Sequence, residues 1–296
     1  MKLLIDTDIG DDIDDLLAIG VALKKSIDIV GVTTVFRDAV RRAEIVKGLL
    51  DYSGNCGIPV FSGCSKAIGG NEIKLGRFYY DGCPKSPVCN KEEDAIDFII
   101  DCAKNYGSEL TLLVIGAQTN VAKAYLKSPE IMRGIGKCVI MGGAFFGQYD
   151  EWNIACDPMA AKIVSESGMP IVYVPHDVTK EISLGQENYD YITKRNFTGV
   201  SKYVADGIKE WATRDGWCPL LHDPVALYYC IDANLFKEKK IHVKFIGDGE
   251  LAGMTLNLEA FVGRTMKKDE YPLVTVVTEV RKEEIVEDFM RTLFLN

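Results

Sequence analysis

Basic residues are in deficit in this chain: 34 Lys and Arg stand against 43 Asp and Glu, a formal charge of −9 with a pI near 5.0. Nucleic acids and anionic membranes are gripped by basic surfaces, so the balance argues against both as partners. Long apolar runs are missing too; none reaches the roughly 18–20 residues of a membrane span. The opening residues, MKLLI, place one lysine before a strand-like run, without the apolar core and small-residue cleavage site of a signal peptide. The nine cysteines (56, 64, 83, 89, 102, 138, 156, 218 and 230) are odd in number and make no C-x-x-C pair. That pattern argues against a disulfide framework or a zinc site, and favours a reducing cytoplasm. Cys102, Cys138 and Cys230 sit in apolar runs, as buried free thiols do. Internal repeats and low-complexity linkers are also absent.

What the chain has is 296 residues, 47% of them apolar, enough for a large core. Short β-branched runs at Lys2–Ile5, Ile27–Thr34, Leu110–Ile115, Cys138–Met141 and Pro170–Val174 alternate with helical periodicity at 12–24, 38–53, 92–106, 118–128 and 157–167. Such alternation predicts parallel βαβ units around a buried sheet. Beyond residue 176 the pattern turns more helical, with helices expected near 199–213 and 223–231, a late strand at Leu273–Val280 and a closing helix over 282–292. The expectation is an α/β fold: one domain over 1–296, with an open, mainly parallel, Rossmann-like sheet flanked by helices and a more helical C-terminal portion. Residues 62–91 carry no periodicity, several Gly and Pro and two tyrosines; a loop that long in a compact fold is usually functional, often a lid.

In an open parallel sheet, ligands gather beyond the carboxyl ends of the strands, so chemical residues should follow strands. Six carboxylates fall between Asp6 and Asp15, directly after the first strand, in "LLIDTDIGDDIDDLLAI". Like charges so crowded destabilise one another unless something offsets them. For Asp11, Asp12, Asp14 and Asp15 the bland reading is capping and complementing a helix N-terminus, about 0.3–1 kcal/mol each. Asp6 and Asp8 are harder to explain that way, because D-x-D at a strand end aims carboxylates out of the sheet edge. Such a cluster suits a hard, oxygen-seeking cation, Ca²⁺ or Mg²⁺. It is no EF-hand, since Asp11 and Leu17 stand where that loop needs Gly and Glu. "GAQTN" (116–120) follows the Leu110–Ile115 run, while Gly142-Gly143 and "DEWN" (150–153) follow Cys138–Met141. In "LLHDPVALYY" (220–229), Asp223-Pro224 reads as a helix start; the same holds for Asp157-Pro158. His222 beside Asp223 stands out because the chain has only three histidines, and the pair could set a titrating group next to a metal ligand.

Taken in order, "DTDIGDDIDD", "VGVTTV" (30–35), "LVIGAQTNVA" (113–122), "MGGAF" (141–145), "EWNIACDPMAA" (151–161) and "HDPVALYY" (222–229) resemble the nucleoside hydrolase family, most closely its inosine–uridine-preferring members. The resemblance implies Ca²⁺-dependent hydrolysis of the N-glycosidic bond of ribonucleosides to free base and ribose. It implies Ca²⁺ ligands at Asp8, Asp15, Asp223 and the main-chain carbonyl of Ile115, with Asp8 also activating the attacking water. Ribose contacts carry over as Asp14, Glu151 and Asn153, and His222 matches the histidine that assists the leaving base. Three departures are visible: "RFYYDGCP" (77–84) has no histidine where the family often has a His-Gly segment near the base, and two others concern acids. The gap before Asp14-Asp15 is two residues longer than the family's common spacing, leaving Asp11-Asp12 as competitors. Asp38 stands where the family commonly has an Asn that contacts the sugar. Tyr79, Tyr80, Trp152, Trp211 and Trp217 are candidates to stack on the base, set against ordinary core roles. Family habit implies a homodimer or homotetramer acting on a small nucleoside.

Two rival readings remain open on sequence alone. Haloacid-dehalogenase-like phosphatases also open with a strand ending in D-x-D, but need a separate Lys and a further acidic pair, and leave "EWN" and "HDP" unexplained. A non-catalytic nucleoside-binding protein would keep Glu151 and Asn153 with no need for Asp8 and His222.

Overall fold

A computed structural model describes residues 1–70, 84–147, 149–215, 218–260 and 267–295. Among these, nine strands form one sheet: β1 (Lys2–Thr7), β2 (Ile29–Thr34), β3 (Val60–Ser62), β4 (Leu110–Ile115), β5 (Lys137–Met141), β6 (Ile171–Val174), β7 (Phe236–Phe245), β8 (Thr255–Asn257) and β9 (Leu273–Val280). Their order is β3-β2-β1-β4-β5-β6-β9-β7-β8. Pairing is parallel from β3 through to β9, and antiparallel where β7 joins β9 and β8 joins β7. The α/β, mainly parallel architecture expected from the sequence is what the chain adopts.

The helices are α1 (Asp14–Lys24), α2 (Ala39–Tyr52), α3 (Glu92–Tyr106), α4 (Thr119–Lys127), α5 (Pro129–Arg133), α6 (Trp152–Cys156), α7 (Pro158–Ser165), α8 (His176–Thr179), α9 (Gln186–Thr193), α10 (Gly199–Asp215), α11 (His222–Ile231) and α12 (Lys282–Met290). Alternation along each strand sorts side chains onto two cores. Leu3, Ile5, Leu113, Ile115, Val139, Met141, Val172 and Val174 face α1, α2, α10, α11 and α12. Leu4, Leu112, Val114, Cys138, Ile140, Ile171 and Tyr173 face α3, α4, α5 and α7. Because both faces are covered, the central strands read as continuous apolar runs. α1 is buried along most of its length and packs on α10 and α11; Gly20 permits the approach, since a Cβ there would meet Val204 Cγ2 at 2.7 Å.

The helical reading beyond residue 176 holds as far as Ile231. The chain then forms β7 and β8, which the sequence did not suggest: Lys237, Glu238, Lys239 and Lys240 break the apolar pattern, and all four are exposed. Of the irregular 62–91 stretch, residues 71–83 lie outside the described residues. Its flanks are tied down: Asn90 bonds Ser62 through both ends of its amide, and Tyr203 Oη donates to Pro84 O at 3.0 Å. No helix among the described residues is long and apolar enough to cross a membrane. The eight described cysteines are free thiols.

The order of strands reverses between β1 and β4, which are neighbours though β2 and β3 intervene in the chain. Such a switch point opens a crevice at the carboxyl ends of the two strands. Asp8 follows β1, and Ile115 closes β4 opposite Thr7.

Candidate active site

A cavity of about 330 Å³ sits at this switch point, within the range typical of small-molecule sites. Asp8, Asp11, Asp12, Asp14, Asp15, Ile115, Met141, Glu151, Trp152, Asn153, His176, His222 and Asp223 line it. The sequence therefore placed Asp8, Asp14, Asp15, Ile115, Glu151, Asn153, His222 and Asp223 at one site. Asp38 is the exception: it is exposed, does not line the cavity, and caps α2 by accepting from Arg41 N at 3.2 Å. Phe36 and Arg37, at φ of 72° and 56°, turn the preceding chain through the left-handed region and set Asp38 at the head of α2.

Carboxylate oxygens of Asp14, Asp15 and Asp223 lie within 4.8 Å of one another, and all three residues are buried. They come from the N-terminal turns of α1 and α11. Neither helix is capped by a side chain, because the residues in the capping position are Ile13 and Leu221. The capping reading of Asp223 fails by two residues: the capping position is Leu221 and α11 starts at His222, so Asp223 lies inside its first turn. Burial and then neighbouring acids push all three carboxyls well above the usual carboxylate range. The donors are all oxygen, buried and mutually repelling, which fits a hard divalent cation.

The two Asp-Asp pairs, all four lining the cavity, are held differently. Arg42, fully buried, reaches under the loop and gives Asp11 Oδ2 a 2.8 Å ion pair. The same guanidinium donates to the backbone oxygens of Asp8, Ile9 (3.0 Å) and Phe36 (2.9 Å). Asp12 accepts from Ile13 N at 2.6 Å. Asp11 is thus held by Arg42, while Asp14 and Asp15 open α1 beside Asp223. Asp8 packs against Gly116, where a Cβ would stand 2.8 Å from its N and 3.0 Å from its Oδ1. Burial lifts the Asp8 carboxyl to about 7, against the lowering effect of Arg42. Asp6 is absent from the lining: it is wholly buried, with Oδ1 accepting from Thr33 Oγ1 (2.6 Å) and Asn120 Nδ2 (2.7 Å).

Facing the acids, Glu151 caps α6. Its carboxylate accepts from Asn153 N (3.0 Å), Gly143 N (3.0 Å) and Ile154 N (3.2 Å), and burial raises it all the same. Asn153 donates to Met141 O at 3.2 Å. Trp152, 39% exposed, meets Phe36 edge to face at 6.5 Å. Of the other aromatic candidates, Trp211 is core, and Tyr79, Tyr80 and Trp217 lie outside the described residues.

The sequence reading missed His176. It opens α8 directly after β6, and its ring stacks on His222 with centroids 5.1 Å apart and planes 21° apart. His222 Nδ1 bonds Thr179 Oγ1 at 2.7 Å; His176 Nδ1 bonds Tyr149 Oη at 2.8 Å. Burial, with His176 beside it, takes His222 down to about 3, so it is a neutral imidazole near pH 7. Position alone, at the carboxyl end of a central strand, was the available signal for His176. Arg42 also left a trace, since it shares a helical stripe with Ala39, Ala43 and Val46, all buried.

A family model described as inosine-uridine preferring nucleoside hydrolase matches residues 3–287. Uridine nucleosidase 1 of Arabidopsis thaliana is 32% identical over 279 residues, covering 86% of this chain and 81% of that protein. Two solved structures share the fold along the whole chain. A plant nucleoside hydrolase superposes with a TM-score of 0.86 at 26% identity, covering 100% of this chain and 99% of that one. A purine-preferring ribonucleoside hydrolase from Gardnerella vaginalis gives 0.79 at 28% identity, covering 99% and 98%.

Proposed function

The chain belongs to the inosine-uridine preferring nucleoside hydrolase family, hydrolases acting on N-glycosyl compounds, and on that premise we propose that it cleaves ribonucleosides to free base and ribose with Ca²⁺ at the acid cluster. The observation that carries the reading is the buried Asp14, Asp15 and Asp223 triplet with Asp8 beside it, facing Glu151 and Asn153 across one cavity. Asp8, Asp15, Asp223 and the carbonyl of Ile115 would hold the cation. When bound, Ca²⁺ supplies positive charge that offsets the carboxylates, orients the sugar diol and makes water easier to deprotonate.

Breaking a ribosyl C–N bond passes through an oxocarbenium-like sugar, as glycoside hydrolysis does. Asp8 takes the proton of the attacking water. Asp14 and Asn153 bind ribose hydroxyls; Glu151 does the same with the carboxylate capacity that its three amide bonds leave over. His222, as a neutral imidazole, gives a hydrogen bond to the departing base as charge builds on it. Asp38 has no part in this reading, being turned to solvent as a helix cap. Cytoplasmic location and a homodimer or homotetramer complete the proposal, supported by the free thiols and by family habit respectively.

The test is to incubate the purified chain with uridine, cytidine, inosine, adenosine and guanosine in Ca²⁺, following free base and ribose. Release from at least one is expected, and Asp8→Asn should lower kcat by more than the roughly 10²–10⁴ of a general base alone, since Asp8 also holds the cation. Near-full turnover in Asp8→Asn, with loss in Asp12→Asn, overturns the assignment of roles in the loop.

A further inference from the structure

We propose that His176 is a base-contacting specificity residue of this site, with Tyr149 as the positioning residue that fixes its ring. The proposal rests on the hydrolase reading and adds to it a second imidazole, stacked on His222 in the wall of the same cavity.

His176 lines the same cavity as the acid triplet and lies face to face with His222. Its backbone N donates to Gly143 O at 2.9 Å, and Gly143 N in turn donates to Glu151 Oε2 at 3.0 Å. One residue therefore anchors both the sugar-facing carboxylate and the second imidazole, which sets the spacing between them. The loop after β5 is strapped to α8 twice more. Phe146 N donates to Asp177 Oδ2 at 3.2 Å, and Tyr149 Oη meets His176 Nδ1 at 2.8 Å, its ring edge-on at 81°. Tyr149 reaches this position by lying across Gly147, where a Cβ would meet Tyr149 Cε1 at 2.3 Å.

The chemistry follows from which atoms are spent. Nδ1 of His222 is engaged by Thr179 and Nδ1 of His176 by Tyr149. A phenol hydroxyl is a good donor near neutral pH, and when it donates to Nδ1 the neutral imidazole carries its proton on Nε2. His176 then offers an N–H donor and an aromatic face beside His222. Nucleobases present flat aromatic faces and ring edges with oxygen and nitrogen acceptors; the sugar presents hydroxyls but no flat face. The sugar belongs with the carboxylates, so the imidazole wall belongs with the base. A wholly structural role for the Tyr149–His176 bond, closing the loop after β5 onto α8, would affect every substrate alike.

The experiment compares uridine and inosine with 4-nitrophenyl β-D-ribofuranoside, which keeps the sugar and replaces the base by a phenol. For His176→Ala and for Tyr149→Phe, which keeps the ring and deletes the hydroxyl, KM on the nucleosides should rise about five- to tenfold, the worth of one neutral hydrogen bond. KM on the nitrophenyl riboside should stay within about twofold, and Ca²⁺ affinity by calorimetry should be unchanged. Equal losses on nucleosides and nitrophenyl riboside, or unchanged KM on all three, overturn the proposal while leaving the hydrolase reading in place. A wild-type chain that cleaves none of them overturns the hydrolase reading and this inference with it.

Discussion

Replacing Arg42 should show how much of the acidic loop is held in shape by the protein itself. Arg42 is fully buried and serves four acceptors: the backbone oxygens of Phe36, Asp8 and Ile9, and Asp11 Oδ2. Arg42→Met keeps much of the volume but leaves a mostly buried carboxylate and three carbonyls without this donor. Removing one partner of a buried charge pair costs about 3–5 kcal/mol. That is a large share of the roughly 5–15 kcal/mol that holds a typical domain together. Arg42→Lys retains the charge, but a single ammonium cannot span four acceptors arranged around a planar fork, so a loss of about 1–3 kcal/mol is expected. Equilibrium unfolding in urea with a chelator present, followed by circular dichroism, reads both variants. Adding Asp11→Asn to Arg42→Met should recover about 1 kcal/mol or more, because it removes the stranded charge. Ca²⁺ affinity of Arg42→Lys should fall by about 10- to 100-fold as the backbone around Asp8 loosens. An Arg42→Met protein within 1 kcal/mol of wild type, or no recovery in the double variant, would refute the reasoning.

Metal analysis of the purified chain should find about one Ca²⁺ per chain, and a strong chelator should remove activity and lower Tm; activity indifferent to chelation would sink the roles given to Asp15 and Asp223. Gly116→Ala should cost about 1–3 kcal/mol and, by pushing Asp8 aside, reduce kcat more than KM; an unaltered kcat would show that the close approach of Gly116 and Asp8 does not matter. Burial raises the Asp288 carboxyl, but hydrogen bonds from Lys25, Tyr228 and Arg291 outweigh it and hold the group at about 2. A depressed carboxyl contributes stability above its unfolded value near 4 and loses it as pH falls through the folded one. Wild type should therefore lose stability between about pH 4 and 2 more steeply than Asp288→Asn, as thermal melts at stepped pH would show; parallel pH curves would count against that network.

The sequence was most legible where the apolar pattern is regular. β4, α3 and β9 occupy the expected spans Leu110–Ile115, Glu92–Tyr106 and Leu273–Val280, because an uninterrupted apolar run or a clear helical stripe leaves little alternative. β7 was illegible for the opposite reason: its leading part, Lys237 to Lys240, is exposed lysine and glutamate, held by ladder bonds to β9 rather than by side-chain burial. At the site, residues that announce themselves by type and place were found, the acids after β1 and His222 beside Asp223. Residues acting through geometry were not. Arg42 sits in "VRRAE", where the helical stripe with Ala39, Ala43 and Val46 picks it over Arg41 as the inward residue, but only the tertiary path of the loop brings Asp11 and the carbonyls of Asp8 and Ile9 to it. Asp38 went the other way, since its position in the motif could not reveal that Phe36 and Arg37 would be left-handed.

The pairing of α1 with α11 has a consequence for how the molecule closes. These helices bring Asp15 and Asp223 together from roughly two hundred positions apart in the chain, so their docking is among the most non-local events of folding and carries a correspondingly large loop-closure cost. It is also the step at which three repelling carboxylates are pressed into one buried place. A cation bound there after docking resists the reverse motion without having helped the forward one. Its effect would fall on the rate of opening, making the lifetime of the closed form, more than the speed of reaching it, the quantity that would respond to such a cation in the surrounding solution.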